Sequence, residues 1–180
     1  MDRALEQFCR ACKQALEGRP GPAGRAEVVR LLEQAVADAA FREGCFGTGQ
    51  RGRRLLYRDP ELGFCVLAYD MDAPRISPPH DHGPSWAIYA QAEAHTEMTE
   101  YEREHPGTGP GPATLREVRR YRLAAGQVGR FEIGAIHRID YPAGAKFVRV
   151  TGEDMERVPR LKYDLEAGQA IEIAGTGVPG

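Results

Sequence analysis

From Gly52 onward the sequence is a succession of short runs rich in β-branched and aromatic residues, punctuated by glycine and proline. No other feature limits the fold as strongly. The runs predict strands at Arg53–Arg58, Gly63–Asp70, Trp86–Glu93, His95–Arg103, Thr114–Leu123, Gln127–Ile133, Ile136–Asp140, Ala145–Thr151 and Gln169–Ile173. The segment His105–Pro112, HPGTGPGP, reads as a loop between strands. No βαβ rhythm separates the runs, which argues against a parallel doubly wound sheet. Many short strands with turns between them point to an antiparallel sandwich or barrel.

The first 44 residues have a different texture. Helix-period apolar residues run from Asp2 to Glu17, and Gly18 ends that helix. Arg19-Pro20-Gly21-Pro22 reads as a turn. A second helix follows, with Val28, Leu31, Leu32, Ala35, Val36 and Ala39 on one face and Gly44 closing it. The expected organisation is a helical pair over residues 1–48, packing on a barrel over 49–173, with a loose tail at 174–180.

Cys9 and Cys12 form a C-x-x-C, a spacing shared with metal and redox sites. They also share one helical stripe with Leu5, Phe8 and Leu16, and no second pair of ligands lies nearby. The expected role is that of small buried apolar residues. The net charge of −2 carries no basic footprint for nucleic acid. No run approaches the roughly 20 apolar residues of a membrane helix. The N-terminus lacks the apolar core of a secretory signal, so a cytoplasmic protein with reduced cysteines is expected.

Chemistry concentrates in the histidines. His80 and His82 form H-x-H in PPHDHG at the entrance to a strand. In extended chain, residues two apart project to the same side, so both imidazoles can meet one metal, while Asp81 turns away. His137, 55 residues after His82, lies in GAIHRID, also in a strand region. Three inward imidazoles would make a facial triad with open positions. Neutral imidazole suits several transition metals, so the ligand set does not choose among them.

The order of helices, strands, P-P-H-D-H-G and a downstream G-x-x-H resembles the cupins. In the second cupin motif Gly126, Gly134 and His137 match, while Glu132 stands at its proline and Tyr141 at its asparagine. In the first motif only H-x-H matches, since Trp86 or Ala87 replaces the metal-binding glutamate. Three histidines without a carboxylate resemble the cysteine dioxygenase-like thiol dioxygenases in particular. Leu56-Tyr57-Arg58 is similar to a strand end of that branch, and His137-Arg138-Ile139-Asp140 to its H-R-V-E. The likeness spans residues 50–152. The branch's outer-sphere serine, histidine and tyrosine fall on Phe147, Arg149 and Thr151.

The resemblance implies a mostly β chain, a cupin double-stranded β-helix barrel behind an N-terminal helical pair. It implies an Fe(II) dioxygenase with His80, His82 and His137 on the metal; Zn, Ni and Mn stay open as alternatives. Expected partners are a small, carboxylate-bearing substrate and O2, without nucleic acid or membrane, in a monomer or homodimer. Expected substrate contacts are Arg58 or Arg149 on the carboxylate and Trp86, Tyr89 and Tyr141 on the walls. Arg149 has a second reading, an internal ion pair with Glu100 or Glu132. His95 reads either as an acid/base or as a wall residue. Carbon–carbon cleavage by the same triad and a non-enzymatic ligand-binding role remain the other function classes.

Overall fold

The computed structural model describes residues 2–175; the part of the expected tail at 176–180 lies outside them. Three helices open the chain: α1 (Arg3–Gly18), α2 (Pro22–Ala37) and α3 (Ala39–Phe46). The second expected helix is therefore two. Asp38 adopts an extended backbone and accepts a hydrogen bond from the Ala40 amide at 2.9 Å, which ends α2 and starts α3. Asp2 caps α1 in the same way through the Ala4 amide. Leu5, Phe8, Cys9 and Cys12 form the buried face of α1. Burial pushes the Cys9 thiol up to about 12, as expected of packing residues rather than reactive thiols. No helix among the described residues is long and apolar enough to cross a membrane.

The strands are β1 (Gly52–Arg58), β2 (Cys65–Asp70), β3 (Arg75–Ile76), β4 (Ala87–Glu93), β5 (His95–Arg103), β6 (Gly111–Pro112), β7 (Leu115–Ala124), β8 (Val128–Phe131), β9 (Ile136–Tyr141), β10 (Lys146–Thr151), β11 (Arg160–Asp164) and β12 (Gln169–Ile173). All pairings are antiparallel. One sheet runs β1-β2-β10-β4-β8, a second β3-β9-β5-β7, and a third β11-β12-β6. From β2 to β10 the chain crosses repeatedly between the first two sheets, the strand order of the double-stranded β-helix. The predicted strands are present within a residue or two at most ends. The strands that were not expected are β3, β6 and β11. The His105–Pro112 loop ends in β6, which pairs with β12.

Strand alternation divides the first sheet into two faces. Phe64, Val66, Ala68, Trp86, Ile88, Ala90, Val148 and Val150 pack with the helices. Cys65, Leu67, Tyr69, Ala87, Tyr89 and Phe147 point the other way and form the barrel core with Met98, Phe131 and Tyr141. A third cluster of Tyr101, Ile136, Leu161, Tyr163 and Ala170 anchors β11 and β12 to the second sheet. The helices thus roof one face of the sheet and leave the other free to line a site.

Candidate metal centre and its cavity

His137 sits in β9 with no exposed surface, and His82 is 2% exposed. His80 is half-buried and faces His137 across a β-bridge. Each donates its amide hydrogen to the other's carbonyl oxygen, at 2.9 and 3.0 Å. This closes the distance between the two halves of the motif through backbone alone. On its other side His80 bridges Lys162, while Asp81 Oδ1 accepts from the amides of Gly83 and Leu161 at 3.0 and 2.8 Å. Asp81 therefore turns away from the cluster and fastens the H-x-H segment to β11. Gly83 has φ +57°, and a side chain there would collide with the Pro159 carbonyl oxygen. The glycine after the second histidine is thus a packing requirement.

One ring nitrogen from each of His80, His82 and His137 lies within 4.8 Å of the others. Ring centroids are 5.5 Å apart for His80 and His82, 4.7 Å for His80 and His137, and 4.9 Å for His82 and His137. His80 Nδ1 lies 3.0 Å from the Pro78 carbonyl oxygen. A carbonyl only accepts, so Nδ1 holds the proton and Nε2 keeps a lone pair free. His82 Nδ1 and both ring nitrogens of His137 are buried without a hydrogen-bond partner among the described residues. Leaving such atoms unsatisfied costs about 1–3 kcal/mol each, and a shared cation would relieve one nitrogen of each ring.

Electrostatics favours the same use. Burial, the largest effect, lowers the His80 pKa to about 4 and pushes His82 and His137 well below the ordinary imidazole value. Arg149 adds to the depression of all three. All three imidazoles are neutral at pH 7, the form that ligates a metal. Phe131 packs against His137 at a centroid distance of 3.8 Å, and the Tyr89 hydroxyl lies 3.3 Å from His82 Nε2.

The cluster opens into a cavity of about 250 Å³. Of the expected wall residues, Tyr89, Tyr141 and Arg149 line it. Arg149 lies opposite Tyr89 on β4 and Leu67 on β2. Its guanidinium carbon is 5.1 Å from the Tyr69 ring centroid and 5.8 Å from that of Tyr89. Its Nε is buried and has no hydrogen-bond partner among the described residues. Glu132 pairs instead with Arg25 and Arg130, and Glu100 lies 4.0 Å from Arg119. The internal ion pair expected as one alternative for Arg149 is therefore absent among the described residues.

Three expected contacts fall elsewhere. Trp86 joins the core under the helices, where its indole fills the space beside Gly152. It is three residues from Tyr89, so the two must point to opposite faces of one strand. Arg58 is exposed and pairs with Cys65, four residues along β2 from the cavity-lining Tyr69. That is about 13 Å of extended chain. The arginine of β1 that lines the cavity is Arg53, paired with Glu156 at 2.5 Å. His95 opens β5 opposite Ala124, half-buried, on the face away from Thr96 and Met98, and does not line the cavity. Sequence reasoning missed Tyr69, Arg53, Arg160 and Lys162, all of which line it. The last two were legible in the strict alternation of Arg160-Leu161-Lys162-Tyr163.

No protein-family model matches the sequence, and no curated protein sequence matches it. Solved structures with similar strand arrangements include proteins described as cupins. KdgF from Halomonas sp. has 14% identity and a TM-score of 0.41, over 55% of this chain and 74% of its own. A cupin superfamily protein from Desulfitobacterium hafniense DCB-2 has 11% identity and a TM-score of 0.43, over 58% and 79%. Hydroquinone 1,2-dioxygenase PnpCD, solved with Cd2+ and 4-hydroxybenzonitrile, has 11% identity and a TM-score of 0.46, over 67% and 74%.

Proposed function

We propose that the chain is a mononuclear non-haem iron dioxygenase, similar to the thiol dioxygenases, acting on a small carboxylate-bearing substrate. One observation carries this reading. Three neutral imidazoles converge without a carboxylate in a small cavity whose wall holds a guanidinium with no acidic partner. Ferrous iron held by His80, His82 and His137 would supply the redox chemistry that lets an organic substrate react with dioxygen. Three neutral ligands leave the whole charge of a divalent ion uncompensated, and Arg149 adds to it. An anionic substrate relieves both.

The protein's own residues then have distinct tasks. Arg149 accepts the carboxylate on its planar fork and fixes the substrate's orientation. The Tyr89 hydroxyl, beside both His82 and Arg149, is placed to hold a proton at its oxygen during the reaction. Tyr69 and Phe147, stacked with centroids 4.5 Å apart, keep water off that wall. For a thiol substrate, both atoms of O2 end on sulfur and the product is the sulfinic acid, with no external reductant.

Purified protein should contain close to one iron per chain. With a carboxylate-bearing thiol it should consume one O2 per product, and the product should be heavier by both oxygen atoms. Oxygen uptake with dicarbonyls but not thiols would move the reaction to carbon–carbon cleavage. A zinc-loaded protein that takes up no oxygen after iron reconstitution would overturn the dioxygenase reading.

A further inference from the structure

The positive wall of the cavity exceeds what one carboxylate needs. Arg149 stands on β10, and Arg160 and Lys162 enter from β11. Leu161 and Tyr163 are buried in the third core cluster, so Arg160 and Lys162 face the cavity. Lys162 lies opposite His80 in the bridge that fastens the H-x-H segment. Opposed residues of an antiparallel pair project to the same side, so the lysine stem rises beside the His80 imidazole.

The remaining cations are already engaged or peripheral. Arg160 donates to the Met155 carbonyl oxygen, Arg53 pairs with Glu156, and Arg75 is exposed at the rim. Lys162 is half-buried and has no hydrogen bond or ion pair among the described residues. Arg149 and Lys162 therefore face one small cavity from two different sheets, and neither has an acidic partner among the described residues.

We propose that the substrate is a small dicarboxylate, with one carboxylate on Arg149 beside the imidazoles and the second on Lys162. This rests on the reading of the cavity as the substrate site of the triad. The two cations suit different tasks. The rigid fork of Arg149 fixes one carboxylate bidentately, while the flexible ammonium of Lys162 follows a second one over a range of lengths. A monocarboxylate on Arg149 would leave the Lys162 ammonium without an anionic partner.

The test uses zinc-loaded protein, which is redox-inert, and calorimetric titration with succinate, glutarate and the monocarboxylate butyrate. At least one dicarboxylate should bind at least about tenfold tighter than butyrate, the gain of one charge-assisted contact. Lys162→Gln should bring that ratio to about twofold or less while butyrate affinity stays unchanged, and Lys162→Arg should restore it. Arg149→Lys should weaken both ligand classes. Equal affinity for butyrate and the dicarboxylates, or a ratio that survives Lys162→Gln, would overturn the inference. The same preference should persist in metal-free protein, which separates the two readings. A protein that takes up oxygen yet shows no dicarboxylate preference loses only this inference. One that prefers dicarboxylates through Lys162 but binds no metal loses only the dioxygenase.

Discussion

The two faces of the five-stranded sheet are built from the same strands and differ by one residue step. On the helix side, Val66, Ala68, Ile88, Ala90, Val148 and Val150 are fully buried and carry no polar side-chain atom. On the barrel side the alternate positions carry Tyr69, Tyr89 and Arg149, next to the histidine cluster, in which His82 and His137 have buried nitrogens without a partner among the described residues. The first face maximises apolar burial and gives up chemistry. The second accepts unsatisfied polar atoms, which only a bound cation and anion would complete. Stability and function are thus separated by side-chain parity rather than by distance along the chain.

That separation can be attacked from either face. The largest effect is expected at the ligand cluster. His82→Ala should lower metal affinity by more than about a hundredfold, beyond the loss typical of outer-shell changes. It should leave the far-ultraviolet spectrum unchanged, because the helix face is untouched. Retention of full metal content, measured by elemental analysis after dialysis, would break the assignment. Next in size, Ile88→Ala opens a hole on the opposite face of the same strand. It should cost about 3 kcal/mol in urea unfolding and leave metal stoichiometry as in the parent. Loss of metal without loss of stability would show that the faces are not independent.

The smallest effect sharpens the contrast through pH. In metal-free protein the buried imidazoles have folded pKa values below the unfolded value, with His80 at about 4. As pH falls below about 6.5 the unfolded chain takes up protons first, so acid favours unfolding. Stability should therefore be fully present above about 6.5 and decline toward about 4, by up to about 1.4 kcal/mol per pH unit for each imidazole. Urea unfolding at stepped pH values measures this. A flat profile over that range would mean that the imidazoles are not held neutral. Saturating zinc should deepen the dependence, since protons then compete with metal for the same nitrogens.

Much of the frame was legible because period-two alternation and glycine punctuation are local signals. The histidine triad was legible for the same reason, as two short motifs on strands. What escaped was what depends on parity or on pairing partners. Trp86 and Tyr89 were both expected on the cavity wall, although a spacing of three forbids it on one strand. Arg58 seemed placed by its motif, but the site's position along β2 is set by β10 and β4, strands distant in sequence. The break at Asp38 carries neither glycine nor proline, so nothing in the pattern marked α3 as separate. β11 followed an irregular stretch from Gly152 to Pro159, and its alternation went unread.

The paired backbone hydrogen bonds between His80 and His137 bear on how the cluster would acquire an ion. They join residues 57 positions apart, and a loop of that length closes only when the intervening strands have docked. A growing chain would offer no more than the H-x-H pair, a weak two-point chelate open to any metal that binds imidazole. The third donor arrives with the finished barrel. If the cluster holds a metal, loading would be a post-folding event, and the identity of the ion would reflect the free-metal pool that the mature protein meets, not the one surrounding the ribosome.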